Sequence, residues 1–104
     1  MALVLGLSEG HDVYFWLNGP NNPPRRVVLE EIVTPSRFKL RVEGPIDQIV
    51  EVFHDEQVEL LPGVRVQAGN TGNNRMVKLA IEAPHSVKIL RGKFARVEGA
   101  ARGV

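Results

Sequence analysis

Apolar and polar residues alternate along most of this chain with a period of two, the repeat of a strand that buries one face. The run Arg37-Phe38-Lys39-Leu40-Arg41-Val42 alternates without a fault: Phe38, Leu40 and Val42 share one face, Arg37, Lys39 and Arg41 the other. Met76–Glu82 reads the same way, with Val77, Leu79 and Ile81 inward. Short runs rich in Val, Ile, Leu and aromatic residues predict further strands at Leu3–Leu7, Val13–Leu17, Arg26–Val33, Ile49–Phe53, Val58–Leu61, Val64–Ala68 and Val87–Leu90. Thr34-Pro35-Ser36 reads as a tight turn, Gly69–Asn74 as a hairpin tip and Asn18–Pro24 as an exposed loop. Pro45–Glu56 has room for one helical turn, and the tail 96–104, with Gly99 and Gly103, is too short and Gly-laced for a helix. The pattern predicts an all-β chain, a small antiparallel barrel or sandwich.

With 104 residues the chain suffices for one domain spanning 1–104, and 43% hydrophobic residues suffice for a core. The charge nearly balances, 13 Lys and Arg against 12 Asp and Glu, so any contact with a polyanion must come from a local patch. Without cysteine there is no disulfide, no thiolate zinc site and no thiol nucleophile. The apolar start at Leu3-Val4-Leu5 is broken by Gly6, Ser8 and Gly10, and no run approaches the roughly eighteen apolar residues of a membrane span. These features point to a soluble, cytoplasmic protein with no membrane partner.

The chain also repeats. Residues 37–45 and 76–84 align without a gap, sharing Lys, Leu, Glu and Pro, and both end in Glu-x-Pro. Strand periodicity explains the apolar matches but not that shared ending, so Pro45 and Pro84 are expected to close equivalent strands. The division falls into a first half of about residues 1–56, a second of about 57–95 and the tail.

From Val77 to Arg91 the sequence Val-Lys-Leu-Ala-Ile-Glu-Ala-Pro-His-Ser-Val-Lys-Ile-Leu-Arg resembles the carbon storage regulator (CsrA) family. Gly72-Asn73-Asn74 resembles that family's turn before the strand, and Leu3-Val4-Leu5 with Glu9-Gly10 is loosely similar to its first strand. The family consists of small RNA-binding translational regulators, homodimers of interleaved five-stranded chains whose two RNA sites draw on both subunits. The resemblance implies two CsrA-like halves fused as a pseudo-dimer, with single-stranded RNA as partner and Arg91 as the arginine that closes the last strand. A two-residue insertion after Pro45 makes His54 its first-half counterpart; without a gap the counterpart is Val52. Gly6-Leu7-Ser8 stands where the family has basic residues.

Read from the residues alone, the stripe Arg37, Lys39 and Arg41 is the leading binding surface, because period two spaces its cations about 6.6 Å apart on one face. An ordinary solvated strand face is the plain alternative. A second basic set, Lys88, Arg91, Lys93 and Arg96, lies near the C-terminus. Trp16 alternates with Tyr14 on one face of its strand, more in the manner of a core or interface pair than of a base-stacking platform. His11, His54 and His85 have no spacing for a metal pair, and no cofactor is expected. Neighbours on a strand point to opposite faces, so Glu30-Glu31 and Asp55-Glu56 cannot converge as paired catalytic carboxylates. Ser8, Ser36 and Ser86 lack a nucleophile elbow, so no enzyme is expected.

The expected function is therefore an RNA-binding translational regulator acting by occupancy, with Arg91, Arg37, Lys39, Arg41, Lys88 and His54 as binding residues. The rival is a structural or assembly protein, such as a phage decoration or connector component in a virion. It would use the same β-fold for contacts with itself or with other structural proteins.

Overall fold

A computed structural model describes residues 2–17, 22–69 and 75–92. Among these residues nine strands run in order: β1 (Ala2–Leu7), β2 (Asp12–Trp16), β3 (Arg25–Thr34), β4 (Arg37–Val42), β5 (Gln48–Phe53), β6 (Val58–Leu61), β7 (Val64–Ala68), β8 (Val77–Glu82) and β9 (Lys88–Arg91). They form two antiparallel sheets, one ordered β1-β8-β7-β6 and the other β5-β4-β3-β2-β9. Each sheet keeps its own pair of edges, so of the two expected architectures it is the sandwich, not the closed barrel. Pro45–Glu56 carries β5 where a helical turn had room. The tail 96–104, with Arg96, lies outside the described residues, as do Lys93, residues 18–21 and residues 70–74.

Alternation builds the core. Phe38, Leu40 and Val42 are buried on β4, and Val77, Leu79 and Ile81 on β8, as the period-two pattern requires. From β2 come Val13 and Phe15, from β3 Val27 and Leu29, and from β7 Val64, Val66 and Ala68. At about 1.5–3 kcal/mol for each fully buried large side chain, this shared layer is what holds the two sheets face to face. Connections are tight. Pro62-Gly63 joins β6 to β7 with Gly63 at φ +79°, and proline followed by a glycine at positive φ is the pattern of a type II turn. Gly10, at φ +87°, makes a similar bend between β1 and β2, closed by the His11 amide donating to the Ser8 carbonyl at 3.0 Å.

The repeat is visible in the register. Val27↔Val42 and Leu29↔Leu40 of the β3–β4 hairpin recur as Val66↔Ile81 and Ala68↔Leu79 of the β7–β8 hairpin, a displacement of 39 positions (27 to 66, 42 to 81). Pro45 and Pro84 follow β4 and β8 at that same displacement. The strands beyond them part company. Against β4, β5 pairs Val50↔Leu40 and Val52↔Phe38, just as β1 pairs Leu5↔Leu79 and Leu7↔Val77 against β8. β6 meets β7 through Val58↔Val66 as β2 meets β3 through Val13↔Val27. The repeating unit is thus β1–β4 followed by β5–β8, and its boundary falls between β4 and β5, ahead of the division expected near residue 56. Among the described residues β9 has no counterpart: it crosses to the other sheet and pairs with β2.

Candidate nucleic-acid interface

Where the edge strand β1 of one sheet meets the edge strand β9 of the other, a cavity of about 350 Å³ opens. Gly6 and Leu7 line it from β1, His11 and Asp12 from the start of β2, Arg26 from β3 and Arg91 from β9. Val13, the register partner of Arg91, is buried in the core, so Arg91 leaves its strand on the core side and emerges at the seam. It is half-buried, and among the described residues its guanidinium makes no ion pair. Asp12 is buried, 7% exposed, and accepts a hydrogen bond from Arg26 Nε at 2.9 Å. That bond, with help from the nearby Glu43, raises the guanidinium above its ordinary pKa and keeps Arg26 charged. His11 accepts the Ser8 amide through Nδ1 at 3.2 Å, which leaves Nε2 as the ring nitrogen able to donate.

A further cation reaches the seam from β8. Lys78 is the register partner of Gly6, and its Nζ lies 3.3 Å from where a Cβ on Gly6 would stand. The bare backbone of Gly6 is therefore roofed by the Lys78 ammonium and by the Met76 sulfur, 3.0 Å from the same point. Lys78 has no carboxylate partner among the described residues.

The remaining expected residues lie elsewhere. Arg37, Lys39 and Arg41 share the outer face of β4 as alternation demands, but carboxylates meet every one of them. Arg37 Nε bonds Glu51 at 2.5 Å, Lys39 Nζ sits 3.3 Å from Glu31, and Arg41 lies 3.7 Å from Glu30 and 3.5 Å from Glu43. Glu43 in turn takes Arg26 Nη1 at 2.5 Å, so charges alternate in sign from Asp12 across β3 to Glu30. The Arg37 bond holds the Glu51 carboxyl below its usual pKa, and Glu51 holds Arg37 above its own. A β-bulge makes this possible. Leu29 pairs Leu40 and Glu31 pairs Lys39, so Glu30 is an extra residue in β3, and both glutamates come to the exposed face. The expectation that Glu30 and Glu31 point to opposite faces is thereby corrected.

Lys88 and Arg91 do not form one patch. Lys88 pairs with Trp16 and Arg91 with Val13, three residues apart and on opposite faces of β9. Lys88 Nζ stands 5.5 Å from the centroid of the Trp16 ring, whose own centroid is 6.2 Å from that of Tyr14. With Trp16 only 8% exposed, that ring offers little surface for a base to stack on. His54 is exposed beyond β5, its carbonyl accepting Gln67 Nε2 at 2.5 Å, and it does not occupy the place of Arg91 because β5 repeats β1, not β9.

Among the described residues no cluster of His, Asp and Glu could hold a metal ion, and no helix is long and apolar enough to cross a membrane. No protein-family model, no curated protein and no solved structure matches the chain.

Proposed function

We propose that the chain is a CsrA-like RNA-binding regulator that holds single-stranded RNA along the seam between β1 and β9. The observation that carries this reading is Arg91, a half-buried guanidinium without an acidic partner among the described residues, standing at a cavity that Gly10, with nothing within 4 Å of where its Cβ would stand, leaves open to backbone approach. An arginine so placed offers a planar fork to a phosphate. His11, whose Nδ1 accepts the Ser8 amide, lines the same cavity. Such a site blocks a message by occupancy and needs no reacting group. The test is affinity for single-stranded RNA against salt: binding with a negative slope of log K against log[salt] supports the reading, and no binding at about 50 mM salt removes it.

A second reading is favoured by the compensated face of β4. A surface whose cations already hold carboxylates has little charge to give a polyanion and is better suited to matching a protein surface. Under that reading the chain is a structural or assembly protein, of the decoration or connector kind. Self-association measured by sedimentation, without RNA affinity, is its signature.

A further inference from the structure

The sandwich has two seams, one between β1 and β9 and the other between β5 and β6, and each holds a cavity, of about 350 and 380 Å³. By register, β5 stands to β4 as β1 stands to β8, and β6 to β7 as β2 to β3. The seams are thus equivalent in plan, but their cavities lie at different ends: one beside Gly6 and Leu7, the other beside Gln48, the counterpart of Leu3. Beside the first seam, Gly6 of β1 pairs with Lys78 of β8, its neighbour in the same sheet; at the equivalent position Glu51 of β5 pairs with Lys39 of β4 and also takes Arg37. The outer edge of β2 is covered by β9, which delivers Arg91, whereas among the described residues β6 is the last strand of its sheet and receives no further strand. The cavity beside β6 is walled by Pro45, Ile46, Leu60, Leu61 and Pro62, and Arg25, the cation of its described lining, already donates to the Glu43 carbonyl at 3.3 Å.

Resting on the RNA reading above, we infer that each chain binds one RNA strand and not two, at the β1–β9 seam, with Lys78 as its second phosphate anchor beside Arg91. The duplication copied the first strand twice and the last strand once, so the arrangement that leaves cations uncompensated occurs once. Lys78 supplies from β8 the positive charge that Gly6, in β1, does not carry.

The experiment is a titration of the full chain with a single-stranded RNA of about ten nucleotides at about 50 mM salt, read by calorimetry and native mass spectrometry. One RNA per chain is expected. Lys78→Gln should lower affinity by about tenfold and the salt slope by about 0.7, while Lys39→Gln, the same change at the equivalent position, should alter neither. Thermal unfolding of both variants separates binding from folding. Two RNAs per chain, or equal losses in the two variants, would overturn the single-site inference and leave the RNA reading standing. Wild type that binds no RNA overturns both together.

Discussion

Arg37 donates to Glu51 at 2.5 Å across the β4–β5 ladder, diagonal to its own register partner Phe53, over whose ring its guanidinium also lies at 5.7 Å. The pair is typical of its face: each cation of the stripe already has an anion. Changing Arg37, Lys39 and Arg41 together to Gln should therefore leave the salt slope of RNA binding nearly unchanged. Three open phosphate contacts would instead lower it by about 2, at roughly 0.7 per contact. A fall of that size, measured by fluorescence anisotropy at several salt concentrations, would return the stripe to the binding site.

Arg91→Ala should weaken RNA binding by about 1–3 kcal/mol and lower the salt slope by about 0.7. The side chain has no ion-pair partner among the described residues, so its removal strands no buried charge, and urea unfolding should show little change. Full-strength binding by Arg91→Ala would place the RNA elsewhere.

How far could the alternation carry the reading? It located the strands because Phe38, Leu40 and Val42, like Val77, Leu79 and Ile81, fill one face and nothing else competes for it. It failed at Glu30, because a bulge adds a residue without local warning: no glycine or proline marks Leu29-Glu30-Glu31. The shared Glu-x-Pro revealed the repeat but invited a comparison of the strands that follow it. The better match was present. Val4-Leu5-Gly6-Leu7 and Val13 recur as Ile49-Val50-Glu51-Val52 and Val58, displaced by 45 positions (4 to 49, 13 to 58), with Val4 and Ile49 similarly exposed at 60% and 54%. Nothing in the sequence singles out Lys78, since its place opposite Gly6 is a fact of pairing.

Acid should open the outer face of β4 in a defined direction. The pKa of Glu51 is lowered, first by the hydrogen bond from Arg37. A depressed carboxyl stabilises the fold above its unfolded pKa, and that contribution is lost as pH falls through the folded value. Stability should therefore drop below the ordinary carboxylate range. Glu51→Gln should flatten that part of the profile. Thermal melts from about pH 7 down to about pH 2.5 check this; identical acid limbs for both proteins would show that the pair contributes nothing.

Gly92 adjoins the cavity at the end of β9, and a Cβ built there would fall 1.6 Å from Asp12 Oδ1. The obstacle is not a flexible tip. Asp12 is 7% exposed and its other carboxylate oxygen is held by Arg26 at 2.9 Å, so yielding means breaking a part-buried ion pair or moving the end of β9. Gly92→Ala should cost at least the 1–3 kcal/mol or so of overpacking. At Gly6 the added methyl would meet the Met76 sulfur at 3.0 Å and the Lys78 ammonium at 3.3 Å, both ends of flexible chains, so Gly6→Ala should stay within about 0.5 kcal/mol of wild type. A double-mutant cycle isolates the cause: in an Asp12→Ala background the clash is gone, and Gly92→Ala should then add little. If the glycine substitution costs as much in that background as in the wild type, Asp12 is not what makes Gly92 necessary, and the close approach of β9 to β2 has another origin.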